Sequence, residues 1–209
     1  MEQMTAAKRK IINVAFKLFI ENGYEKTTIQ DIIDAVGMSK GAIYHYFKSK
    51  EEIFDEIWDV SDCNKNFFEQ VMNDKTLTGL GKIEKVFVES LCDTSKQKID
   101  ALALPFLKNP KFLAHMLDKT YGEATGILEN LVNQGIADGS IITDFPKEIA
   151  GSLAILTNFW INPSLNSGSL DEVLRRCEFL CEVCIKMGLE LNKDRMLTSL
   201  VKYYKFIYE

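Results

Sequence analysis

The sequence is poor in the residues that break helices. Only four prolines occur among 209 residues, at 105, 110, 146 and 163, so the first hundred positions have none. No segment sustains a period-two alternation of apolar and polar residues, whereas apolar residues recur at spacings of three and four, which reads as helix throughout. No run reaches the eighteen or so apolar residues of a membrane span; the longest candidate, "GSLAILTNFWI", is shorter and contains Ser, Thr and Asn. "MEQMTAAKRK" is charged but has no apolar stretch behind it, so no signal peptide is expected and the chain reads as cytoplasmic. Histidine is scarce, with only His45 and His115. Gly-rich phosphate loops, metal-ligand motifs and nucleophile elbows are missing. That argues against an enzyme and implies no cofactor or metal. The five cysteines, at 63, 92, 177, 181 and 184, are odd in number and not spaced as a disulfide framework.

Charge is unevenly spread. The net charge is −5. Residues 1–50 carry eight Lys and Arg against five Asp and Glu, while residues 51–209 carry seventeen against twenty-five. A basic head on an acidic remainder confines attraction for phosphates to one end.

That head has a definite organisation. A first helix is expected from about Thr5, with Ile11, Ile12, Ala15, Leu18 and Phe19 on its apolar face and Gly23 at its end. Thr28 with Asp31 forms a capping pair that opens a second helix, to about residue 35. Gly37 supplies a left-handed turn, and Ser39 caps a third helix over 39–46. Two short helices joined by a Gly-centred turn make a helix-turn-helix. Ile29, Ile32, Ile33, Val36, Met38, Ile43 and Phe47 supply its buried side. Ser39, Lys40, Gly41, Ala42, Tyr44, His45 and Tyr46 are left facing outward. Lysine reaches guanine edges, small residues admit close approach to bases, and tyrosine and histidine donate to phosphate oxygens. Thr28 and Lys50, at the starts of the flanking helices, are placed to straddle one DNA backbone. Ser49 and Glu52 start a fourth helix, expected to run to about residue 72 and to act as a lever.

The segment "TTIQDIIDAVGMSKGAIYHYFKSKEEIF", Thr27 to Phe54, together with "LFIENGYEKTT" before it, resembles the DNA-binding domain of TetR-type bacterial transcriptional regulators. The resemblance covers about residues 8–58. Ile33 stands where that family usually has a small residue, and Ala42 where Thr is common. The family implies an all-α protein: a three-helix DNA-binding domain, here residues 1–50, and a larger helical effector-binding and dimerisation domain, here 51–209. It also implies a homodimer on double-stranded, near-palindromic operator DNA, released by a small-molecule effector. The DNA-contact positions of the family correspond to Thr28, Lys40, Gly41, Ala42, Tyr44, His45, Tyr46 and Lys50.

Beyond the head, helices are expected over about 78–94, 97–107 (disturbed by Pro105), from Asn109-Pro110 to about "GIADGS", from Pro146, from Ser169 to Met187, and from Asn192 to the end. Phe87, Leu91, Phe106, Met116, Tyr121 and Phe159 are candidates to line an apolar effector pocket. Ile149, Leu153, Leu156 and Trp160 form one apolar seam, and Val173, Cys177, Leu180, Cys184 and Met187 a second; the pair could build a four-helix bundle across a two-fold axis, or could face the chain's own core. Cys177, Cys181 and Cys184 share a helix face, which packs as small apolar residues or, alternatively, offers a thiol or soft-metal sensor. An all-helical carrier or enzyme with an incidental helix-turn-helix is the alternative from another class.

Overall fold

A computed structural model describes residues 5–62, 65–108 and 110–209, and every described element is helical. The chain divides into two compact units, residues 1–64 and 65–209. The first unit holds α1 (Ala6–Asn22), α2 (Ile29–Val36), α3 (Lys40–Tyr46) and α4 (Lys50–Asp62). Thr5 caps α1 by accepting from the Lys8 N–H at 3.2 Å. Burial follows the apolar stripe: Ile11, Ile12, Ala15 and Phe19 of α1 meet Ile53, Phe54 and Ile57 of α4 in one buried core. Leu18, Ile29 and Met38, expected inside, are only half-buried. The rings of Phe19, Tyr24 and Phe54 lie 5.1–6.4 Å apart, a tilted cluster at aromatic contact distance. Lys8 adds a 2.8 Å ion pair from α1 to Glu56 of α4.

The sequence-based boundary at residue 50 differs from the compact unit, which runs on to residue 64. The reason is packing: with Ile53 and Phe54 fully buried, α4 completes the core that α1 and α2 begin. The span expected for the fourth helix, about 50–72, is helical on both sides of residues 63 and 64, as α4 and α5 (Lys65–Asn73). Cys63 and Asn64, between them, lie outside the described residues, as does the anticipated cap Asn109.

The second unit continues from α5 with α6 (Gly79–Cys92), α7 (Thr94–Ala103), α8 (Pro110–Lys119), α9 (Thr125–Asp138), α10 (Pro146–Ile155), α11 (Leu170–Lys186) and α12 (Lys193–Tyr208). Pro105 sits in a 3-10 turn, Leu104–Lys108, which ends α7 as a missing N–H requires. Two π turns interrupt helical runs, Thr120–Ala124 between α8 and α9 and Leu156–Trp160 after α10. Each contains or adjoins a threonine whose hydroxyl donates to a backbone carbonyl of the same turn or of the turn before it: Thr125 to Thr120 O at 2.8 Å, and Thr157 to Leu153 O at 2.7 Å.

α6 and α9 approach so closely that a Cβ on Gly79 would lie 2.1 Å from the Gly135 nitrogen. The Asp138 carboxylate at the end of α9 accepts the Gly79 N–H at 2.7 Å and fixes that approach. Buried Lys82 donates to Met72 O at 2.8 Å and Gln134 Oε1 at 2.7 Å, tying α5 to the same pair. Asp100 of α7 accepts from Lys96 at 2.9 Å and from the Tyr203 hydroxyl of α12 at 2.9 Å, so its buried charge is paired.

Candidate nucleic-acid interface

The helix-turn-helix is built by caps. Thr28 accepts from the Asp31 N–H at 3.1 Å, and the Asp31 carboxylate returns to the Thr28 N–H at 2.8 Å and hydroxyl at 2.7 Å. These hydrogen bonds hold the Asp31 carboxyl below the usual carboxylate range. Gly37 ends α2 at φ 68°, ψ 29°, a left-handed conformation that would strain a residue with a Cβ. Ser39 then caps α3 by accepting from the Ala42 N–H at 3.2 Å. Downstream, Ser49 accepts from the Glu52 N–H at 3.2 Å, but the Glu52 carboxylate reaches one residue further back, to the Lys48 N–H at 2.7 Å.

These caps fix which way α3 faces. Ile43 is fully buried and Phe47, just after the helix, is 3 % exposed. Ser39, Lys40, Gly41, Tyr44 and His45 are exposed, while Ala42 and Tyr46 are half-buried. The Lys40 ammonium stands 5.7 Å from the centre of the Tyr44 ring, and His45 meets Tyr46 edge-on at 5.2 Å. A Cβ added to Gly41 would meet nothing within 4 Å, and no positive φ is needed there. Nothing among the described residues therefore requires glycine at this position.

Thr28 and Lys50 are less free than the sequence implied. The Thr28 hydroxyl both accepts from and donates to Asp31. Lys50 is half-buried; its ammonium donates to Tyr24 O at 2.8 Å and Thr27 O at 2.9 Å and lies 4.0 Å from the centre of the Tyr24 ring. Sequence reasoning missed this tie because its partners are 23 and 26 positions away.

In the second unit the two seams are turned differently from a dimer face. Ile149, Leu153, Val173, Cys177, Leu180 and Cys184 are at most 4 % exposed within one chain. Leu156, Trp160 and Met187 are partly buried and pack against the same core. Side chains already enclosed by their own chain have no surface to give a second copy, so Ile149, Leu153, Val173, Cys177, Leu180 and Cys184 are corrected from interface to core, whereas Leu156, Trp160 and Met187 keep part of their surface. The pocket candidates disperse. Phe106 and Met116 are buried, the Phe106 ring lying tilted 5.7 Å from that of Phe112; Phe87, Leu91 and Phe159 are half-buried. Tyr121 is 61 % exposed in the first π turn, too open to line an enclosed cavity. Among the residues exposed instead, Phe179 lies off the seam of α11, and Ile142 and Phe145 precede the first residue of α10. Ile142 and Phe145 edge an open groove of about 410 Å³ with Glu148, Ser152 and Lys186.

Burial pushes the Cys184 thiol up to about 12, and hydrogen bonding to Cys181 with burial raises Cys177. Cys181 is lowered by the bond from Cys177, and its sulfur sits 3.8 Å from that of Met196. These cysteines fill core space, and no cluster of three metal-ligating side chains of His, Cys, Asp or Glu occurs among the described residues.

Residues 11–57 match the family model described as bacterial regulatory proteins, tetR family. Among curated proteins, the chain is 27 % identical over 152 residues to the HTH-type transcriptional repressor KstR2 of Rhodococcus jostii, covering 68 % of this chain and 72 % of that protein. It is 46 % identical over 55 residues to the HTH-type transcriptional regulator QacR of Staphylococcus aureus, but spans only 29 % of that protein's length and 26 % of its own. Among solved structures, a TetR/AcrR-family transcriptional regulator from Thermobifida fusca aligns over 98 % of both chains with a TM-score of 0.59 at 23 % identity. A TetR-family regulator from Pectobacterium atrosepticum aligns over 90 % of this chain and 97 % of its own with a TM-score of 0.63 at 17 % identity. The structural likenesses establish the shared helical fold.

Proposed function

We propose that the chain, whose residues 11–57 match the tetR family model, is a TetR-type, ligand-responsive repressor binding double-stranded operator DNA as a homodimer. The observation that carries this reading is the outward face of α3. Lys40, Gly41, Tyr44 and His45 are exposed on a helix whose opposite side is held by fully buried Ile43. Such a helix enters a major groove with its base-reading side chains already oriented. Ser39, Ala42 and Tyr46 belong to the same contact surface, and Thr28 flanks it at the start of α2.

Two such helices, one per subunit, suit half-sites one or two turns apart, a turn being roughly 34 Å. An effector lowers DNA affinity only if it binds better to the conformation that DNA disfavours, and the coupling is then reciprocal. Relatives named as repressors support this sign of regulation.

The test is binding of the full chain to duplexes selected from a randomised pool, measured across salt. Affinity that falls steeply with salt supports the reading. Lys40→Ala is expected to relax discrimination at one base position by about 1–3 kcal/mol. A wild-type chain with no salt-sensitive affinity for any duplex overturns the proposal.

A further inference from the structure

Lys50 is the first residue of α4, yet its ammonium is spent on the far side of the helix-turn-helix. Two of its three N–H donors go to Tyr24 O at 2.8 Å and Thr27 O at 2.9 Å, and the Tyr24 ring covers a further side, with its centre 4.0 Å away. The site is built on both flanks. The Tyr24 hydroxyl donates to Glu51 Oε1 at 3.2 Å, so the residue after Lys50 holds the same tyrosine. Thr27 is 1 % exposed, and its hydroxyl donates to Gly23 O at 2.8 Å. Its carbonyl is thus presented by a rigid corner. Thr28, the cap of α2, follows immediately.

We infer that Lys50 is a positioning residue for DNA binding: its ammonium staples the entry of α2 to the start of α4 and thereby sets the stance of α3 between them. The segment from Thr27 to Lys50 contains the whole helix-turn-helix. Its two ends are joined by one point charge donating to two converging carbonyls. Charge-assisted hydrogen bonds of this kind are the strong ones, and the aromatic face adds attraction to the same cation. Without the staple, the α1–α2 corner and the start of α4 separate more easily, and α3 loses its fixed presentation. The inference rests on the DNA-binding reading above, and it takes Lys50 out of the set of phosphate contacts.

The test uses the full chain, a duplex selected by the wild-type protein from a randomised pool, and a random-sequence duplex. Lys50→Met keeps the aliphatic stem under the ring and removes the ammonium. Affinity for the selected duplex is expected to fall about tenfold or more, with the slope of log affinity against log salt unchanged. Affinity for the random duplex should fall less, so that sequence preference narrows. A slope reduced by about one unit identifies a phosphate contact and overturns the proposal; so does an unchanged affinity.

If Lys50→Met does not fold, nuclear magnetic resonance of the wild-type chain decides. The Lys50 ammonium protons should be shifted by the Tyr24 ring, correlate with the Tyr24 and Thr27 carbonyl carbons, and stay in place when the selected duplex is added. Signals that leave those carbonyls on DNA addition overturn the role. A wild-type chain that binds no duplex removes the DNA reading, and this role with it. The ammonium signal of the free protein would still report whether the staple exists, which separates the two failures.

Discussion

The two units use their apolar periodicity in opposite ways. In the helix-turn-helix the two short helices α2 and α3 bury one side, and the other side of α3 faces outward, so its exposed side chains are informative in themselves. In residues 65–209 α10 and α11 bury most of their regular seams in the chain's own core, and exposed Phe179 stands off the seam of α11. Periodicity identifies the apolar stripe of a helix but not what covers it. For a helix of two turns capped at both ends, little choice remains. For a helix of 17 residues such as α11, several neighbours compete for the stripe.

The contrast breaks most visibly at Leu153, 2 % exposed in α10. Leu153→Asp places an unpaired carboxylate in the core and should destabilise the second unit by about 3–5 kcal/mol. Thermal melting followed by circular dichroism would show it. A variant that melts like wild type but sediments as a smaller species would mean that the seam faces a second copy after all.

Gly41→Ala sharpens the other half of the comparison. Since a Cβ there meets nothing in the chain, the substitution should raise Tm, alanine being the better helix former by about 0.5–1 kcal/mol. If the face approaches base edges closely, the same methyl should weaken duplex binding by about 1–3 kcal/mol, roughly 5- to 150-fold. Greater stability with unchanged affinity would remove Gly41 from the interface.

The smallest effect concerns pH. The Asp31 carboxyl is lowered by its hydrogen bonds to Thr28, and so titrates below its unfolded value. Its contribution is fully present above the unfolded carboxylate range and is lost as pH falls through the lowered folded value. Denaturant unfolding of Asp31→Asn against wild type from neutral to acidic pH should therefore show a gap that closes on acidification. A gap that is constant with pH would show that the cap acts without its charge.

What could be read in the sequence was what depends on neighbours a few positions away. The caps at Thr28, Ser39 and Ser169 and the left-handed Gly37 are set by local hydrogen bonds and backbone sterics, and each stands where it was expected. The all-helical architecture was legible for the same reason. The tie of Lys50 to Tyr24 and Thr27 was not, because its partners are separated from it by two whole helices. The π turns also escaped: Thr125 and Thr157 fit a regular helix equally well by composition. Tyr121 misled because an aromatic residue within an amphipathic run is usually enclosed, and the π turn carries this one outward. The thiols of Cys177 and Cys184 are buried among apolar side chains of the core, which agrees with the packing alternative for that helix face.

The charge arrangement of the first unit has one more effect. Residues 1–64 hold eight Lys and Arg but eleven Asp and Glu, and residues 51–64 contain six acids and no base. This unit is therefore not a generally sticky polycation. Its Lys and Arg all lie in residues 1–50, so any attraction for a polyanion comes from that stretch and not from the net charge of the unit. For a chain that binds DNA as proposed, such an arrangement orients the approach rather than tightening the hold on arbitrary sequences.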